Sequence, residues 1–231
     1  MADDIFKEVD EDLRAERLRA AGRRYGALAI MLVLLAAIAG GIWQYQLYRH
    51  RQLADATGSI YFEASKQADS TLHAGPDAGA SAAQTGAANL FAQVAARGPE
   101  GFRTLARLRQ AQIAWSAGQH KQALGFWDAI HDDGDADATL RGLASLLWVQ
   151  HQVDDGDPAI LKSRLGPLSV AGAPWRAMAQ ELDGEIDLRL GHIDDARRKL
   201  AELTEDGAAP EGLRNRAGGL NETLDKTKTG G

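Results

Sequence analysis

The sequence predicts an all-α protein: an N-terminal single transmembrane helix followed by a solenoid of α-hairpins. Three observations carry this reading. A run of 24 uncharged residues, 25–48, lies between clusters of basic residues. After it, Ala- and Leu-rich stretches of helical length alternate with Gly, Pro and Asp breaks, and no stretch shows the apolar/polar alternation of a half-buried strand. Finally, a pattern of apolar, glycine and small residues recurs at a 73-residue offset.

The elements follow in order. Residues 1–24 are a polar tail with seven acidic residues and six basic ones, Lys7, Arg14, Arg17, Arg19, Arg23 and Arg24. Helical spacing would place Ile5, Val9 and Leu13 on one stripe, suiting either a partner-binding helix or a solvated juxtamembrane one. Residues 25–48 are long enough to cross a hydrocarbon core, which takes about 20 apolar residues at 1.5 Å each. Tyr25 stands at one boundary of this run and Trp43, Tyr45 and Tyr48 at the other, where amphipathic rings prefer the headgroup region. Ala37-Ile38-Ala39 has the form of a signal-peptide cleavage site. Against cleavage, the preceding leader is acidic and apolar character resumes at Ile42 and Trp43, so the segment reads as an uncleaved anchor.

Orientation follows from basic residues, which resist translocation. Six precede the span, against Arg49, Arg51 and Lys66 in the comparable stretch after it. The N-terminus is therefore expected in the cytoplasm and residues 49–231 outside it. In a Gram-negative cell this is an inner-membrane protein with a periplasmic domain.

Residues 49–225 are enough for one domain with a sizeable core. With no cysteine in the chain, packing alone must stabilise it, and a thiolate nucleophile or Cys-ligated zinc is excluded. The net charge of −6 lacks the basic face that nucleic acid requires. Helices are expected near 52–73, 80–97, 100–117, 120–131, 138–152, 158–166, 175–190, 193–205 and 211–225, with 226–231 a disordered tail. Pro99, Pro158, Pro174 and Pro210 each suit a first helical turn, where a missing N–H costs nothing. Asp157 and Asp137 are good N-caps. Residues 74–89, small and glycine-bearing, suit a loop or a loosely packed helix.

The repeat emerges when residues 111–130 are aligned with 184–203. Ile113 then meets Ile186, Trp115 meets Leu188, Gly118 meets Gly191, Ala123 meets Ala196, Trp127 meets Leu200 and Ile130 meets Leu203. A middle copy places Val149 and Ala159 at the same ten-residue separation, giving a period of about 36 to 37. Glycine supplies a turn that Cβ would oppose, and the small residue lets paired helices approach closely. Lys199 falls on the outward face of its helix.

This pattern resembles the tetratricopeptide repeat, with Asp154 standing where the middle turn glycine would be and most of the aromatic signature missing. The tail "DIFKEVDEDLRAERL", the basic pair, the span and "PWRAMAQEL" at 174–182 together resemble the bacterial single-pass tetratricopeptide-like family. That family includes the ancillary subunit of the SecYEG translocon, and its domain is shared with a periplasmic cell-division coordinator. The resemblance covers nearly the whole chain. It implies a non-catalytic, membrane-anchored protein-protein interaction module that binds the SecYEG translocon and periplasmic chaperones. The alternative is a periplasmic scaffold coordinating cell-envelope or cell-division complexes. The soluble division relative begins with a cleaved signal and a coiled coil, neither of which matches residues 1–51.

Other constellations favour structure over chemistry. Asp133, Asp135 and Asp137 begin like a calcium loop, but its sixth and twelfth positions are Ala138 and Ala144 in place of Gly and Glu. The histidines His50, His73, His120, His131, His151 and His192 include no i, i+4 pair of the kind a zinc helix uses. No nucleophile elbow, phosphate loop or dinucleotide fingerprint occurs. Catalytic, cofactor-binding and metal-ligating residues are therefore expected to number none, with no small-molecule substrate. Trp115, Phe126, Trp127, Trp148 and Trp175 are expected to pack between helices.

Overall fold

The computed structural model describes the backbone of residues 2–72 and 78–229, and the side chains of 31, 32, 34–49, 52–70 and 82–226. Among these residues the secondary structure is helical throughout, with no strand. The chain divides into two compact units, Met1–Asp55 and Ala56–Gly231.

The first unit is formed by helix α1, Ala2–Leu72, which continues into the second. No proline interrupts it, the first in the chain being Pro76. From Met31 to Tyr48 its large apolar side chains are exposed, Leu32 at 67 % and Trp43 at 74 %. Among the described residues no helix is long and apolar enough to cross a membrane. The expected span 25–48 includes residues 25–30 and 33, whose side chains lie outside the described set.

In the second unit follow α2 (Ala78–Arg97), α3 (Glu100–Ser116), α4 (His120–His131), α5 (Ala138–Gln150), α6 (Pro158–Leu165), a 3-10 turn (Gly166–Leu168), α7 (Arg176–Arg189), α8 (Ile193–Glu205) and α9 (Glu211–Thr229). From α2 onward each helix packs against its successor in the chain, and α7 also meets α5 and α9. The core is accordingly divided into small clusters, one shared by each group of neighbouring helices. Phe91 and Val94 centre the first, Trp127 and Ile130 the second, Leu161, Leu165 and Ile186 the third, and Leu200 and Leu203 the last. Serial small cores of this kind are consistent with a helical solenoid, in which each unit is stabilised by its neighbours.

The punctuation behaves as the sequence predicts at most sites. Asp137 accepts from the backbone N–H groups of Thr139 and Leu140, and Asp157 from that of Ala159 with Pro158 in the first turn. Pro99 is the N-cap of α3 and Pro210 immediately precedes α9, so each stands just before the first turn expected for it, and the carbonyl of Pro210 receives the N–H of Leu213 and Arg214. Pro174 lies one residue before Trp175, the N-cap of α7, and so stands outside the helix. The stretch 78–97 is a packed helix, with Ala87 and Phe91 fully buried against Ala64 and Ala106. At the other end α9 runs to Thr229, beyond the expected limit at 225. Arg197 holds it there, donating to the carbonyl of Leu224 and pairing with Asp225 at 3.1 Å.

The hairpin turns α3–α4 and α7–α8 are the same structure. Gln119 donates its N–H to Ala114 and Gly118 to Trp115; in the other turn His192 donates to Asp187 and Gly191 to Leu188. These are the paired bonds of a Schellman motif, which needs a left-handed residue, and both glycines have φ +76°. Ala123 and Ala196, each the fourth residue of the following helix, are fully buried.

The middle copy corrects the sequence register. Ala159 is exposed; the fourth residue of α6 is Leu161, which is fully buried, and Leu165 matches Trp127 and Leu200 as the eighth. The turn between α5 and α6 spans 151–157, longer than 117–119 or 190–192, so a fixed ten-residue separation picks the wrong face. Arg189 pins this longer turn, donating to the carbonyls of Val153 and Gly156 at 2.6 Å each.

Candidate functional site

Residues of α1, α3, α4 and α5 in the second unit share one cavity of about 530 Å³. Leu105, Leu108 and Trp115 of α3 face Leu143 and Leu147 of α5 across it, and Tyr61 of α1 contributes a ring. The spacing explains the convergence: 105, 108, 112 and 115 form one stripe of α3, and 143, 147 and 151 one stripe of α5. The volume lies within the range of ligand and peptide side-chain pockets. Its lining is mainly apolar, with Arg109, Gln112, Ser116 and His151 as polar members; Arg109 donates to Gln112 at 3.2 Å.

An aromatic stack forms part of this wall. Trp115 lies between His120, at 4.1 Å and 13°, and His151, at 4.1 Å and 32°; His151 in turn stacks on Trp127 at 4.9 Å and 10°. Burial pushes the His151 pKa down, and the neighbouring His120 adds to the effect, so the ring favours its neutral form. Trp127 is buried and its indole N–H has no hydrogen-bond partner among the described residues. Sequence spacing shows none of the links between these rings, which come from different helices.

A second cavity, about 410 Å³, lies between α5, α7 and α9. Leu146 and Gln150 of α5 and Met178 and Leu182 of α7 line it with Glu181 and Glu185. Arg216 of α9 grips Glu181 through two parallel bonds, Nε to Oε1 at 3.0 Å and Nη2 to Oε2 at 2.9 Å. Among the described residues Glu185 has no ion-pair partner. Burial raises its pKa, reinforced by Glu181 and Asp154 and opposed by Arg216.

The remaining polar clusters hold helices together. Asp133 binds Arg107 at 2.6 Å and accepts the N–H of Asp135, and Arg107 holds its carboxyl below the usual range. With Asp137 capping α5, two of the three carboxylates of the calcium-like sequence have structural partners. Among the described residues no group of three His, Asp or Glu side chains is arranged to hold a metal. His131 Nδ1 is 2.7 Å from Ser145 Oγ, but this hydroxyl is buried and donates to the carbonyl of Arg141 in its own helix. The pair thus joins the end of α4 to α5, and both side chains border a cavity of about 300 Å³ with Arg141 and Arg164. His192 lies 3.7 Å from Asp187, while the side chains of His50 and His73 lie outside the described residues.

Lys199 also departs from the sequence reading. It binds Asp183 and buried Asp187, and Lys162 of α6 binds Asp187 as well, so it links α8 to α7 in place of facing solvent freely. Trp115, Trp127, Trp148 and Trp175 pack against the hydrophobic clusters. Trp148 stacks under Arg164, at 4.3 Å, and Trp175 donates to the carbonyl of Thr139 at 2.8 Å.

Comparison with family profiles, curated proteins and solved structures gives no match for this chain.

Proposed function

We propose that this protein is a non-catalytic, membrane-anchored protein-protein interaction module. In this reading it is an ancillary subunit of the Sec translocon in the bacterial inner membrane, linking the channel to periplasmic chaperones. The observation that carries the interaction role is the apolar cavity between the stripes of α3 and α5. Leucines and stacked rings there offer a partner's side chains a place to leave water, at about 25 cal/mol for each Å² buried. A degenerate tetratricopeptide-like solenoid suits the serial cores and the two glycine turns.

The anchor reading rests on the 25–48 sequence and on the exposed apolar band of α1 from Met31 to Tyr48. A band that size in water would be an aggregation site, whereas in lipid it is satisfied. Tethering matters to binding, because a partner in the same membrane meets the groove at a high effective concentration. The resemblance to the translocon-associated family supplies the identity of that partner.

Photocrosslinking in intact cells tests both parts. Probes at Ile42 and at Leu143 should capture the SecYEG channel or a periplasmic chaperone, and a periplasm-dependent reporter fused after Gly231 should be active and resist alkaline wash. Crosslinks confined to division or cell-wall proteins would replace the translocon role with that of an envelope scaffold. Release of the fusion into the soluble fraction would show cleavage after Ala39.

A further inference from the structure

The two cavities flank the same helix. Leu143, Leu147 and His151 of α5 border the apolar one, while Leu146 and Gln150, on the adjoining stripe, border the other. At 100° per residue these stripes are neighbours, so α5 borders an apolar hollow on its α3 side and an acidic hollow on its α7 side.

The charges at the two hollows are opposite. On the α3 side the basic group is Arg109, whose recorded side-chain bond is to the neutral Gln112. On the α7 side Glu181 and Glu185 line the hollow with Arg216, and Asp154 of the α5–α6 turn adds to the negative charge that Glu185 feels. Arg216 is committed to Glu181 by its two bonds. Glu185 is left half-buried among like charges without an ion pair, and an arriving cation would relieve both burdens. Leu146, Leu182 and Met178 around it would cover the methylene stem of a long basic side chain.

We propose that the groove selects a polypeptide segment with a bulky apolar side chain for the α3–α5 hollow and a Lys or Arg side chain for Glu185 in the α5–α7 hollow. This inference rests on the interaction role proposed above and adds the chemistry of the partner. Arg109 sets the direction: it repels a cation from the apolar hollow, so the basic residue must occupy the α7 side.

The test uses the full-length chain in detergent and fluorescently labelled short peptides containing Phe and Leu, followed by two Lys, two Glu or two Gln. By anisotropy the Lys peptide should bind about tenfold or more tightly than the Glu peptide, as expected for a charge placed beside a desolvated partner. Glu185→Gln should remove most of that preference. So should Gln150→Lys, an exposed change that brings a competing cation to the rim. Leu143→Ala should weaken all three peptides alike. Equal affinity for the Lys and Glu peptides, or a preference that survives both Glu185→Gln and Gln150→Lys, would overturn the charge selection while leaving the groove as a binding site. Absence of binding by every peptide would overturn the interaction role along with it.

Discussion

Gly118 and Gly191 share one backbone conformation, φ +76°, and the same pair of turn hydrogen bonds, although they close different hairpins. An added Cβ would meet no neighbouring atom at either site, so their requirement for glycine is conformational and not one of space. Left-handed backbone costs a residue with Cβ about 1 to 2 kcal/mol. Gly118→Ala and Gly191→Ala should therefore each destabilise by about 1 kcal/mol in urea melts, and their effects should add because the sites are far apart. Gly125→Ala, exposed within α4, should stabilise by about 0.5 to 1 kcal/mol. The same sign for all three would refute the turn argument.

The register of the hairpins is open to a similar comparison. Ala196 is fully buried on α8, whereas Ala159 is exposed on α6. Ala196→Leu should overpack its site and cost about 1 to 3 kcal/mol. Ala159→Leu should stay within about 0.5 kcal/mol, the usual range for surface changes. A large loss at Ala159 would restore the ten-residue alignment that the longer α5–α6 turn contradicts.

Acid should weaken the third hairpin through Asp187. This carboxylate is 2 % exposed and bound by Lys162 and Lys199. Burial alone would raise its pKa, but the two ammonium groups outweigh it and hold the carboxyl below its ordinary range. A depressed folded-state pKa gives stability that is present above the unfolded value, about 3.9, and lost as pH falls through the folded one. Asp187→Asn should cost about 2 kcal/mol near neutral pH, with Asp183 left to retain part of the attraction. The difference from the parent should shrink as the pH drops below about 4. Melts at several pH values check this, and a gap independent of pH would assign the loss to packing.

The sequence by itself determined where most helices of the second unit start and stop, because those signals act within a few residues, but it divided α1, Ala2–Leu72, into separate segments. Asp137 and Asp157 bind N–H groups two or three positions ahead, and Gly118 and Gly191 supply turns that no neighbour has to enforce. It also marked Ala123, Ala196 and Leu200 as interior positions through helical spacing. The tertiary structure decided what those helices bring together. A longer turn shifts which residue number falls at a given position of the next helix, which is why Leu161, the fourth residue of α6, and not Ala159 enters the core. Packing between helices then sets which side chains converge: Trp115 with His151, Arg216 with Glu181, and Lys199 with Asp187. Their partners lie on other helices, at separations that carry no local signal, so the aromatic wall and the acidic hollow appear only once the hairpins are stacked.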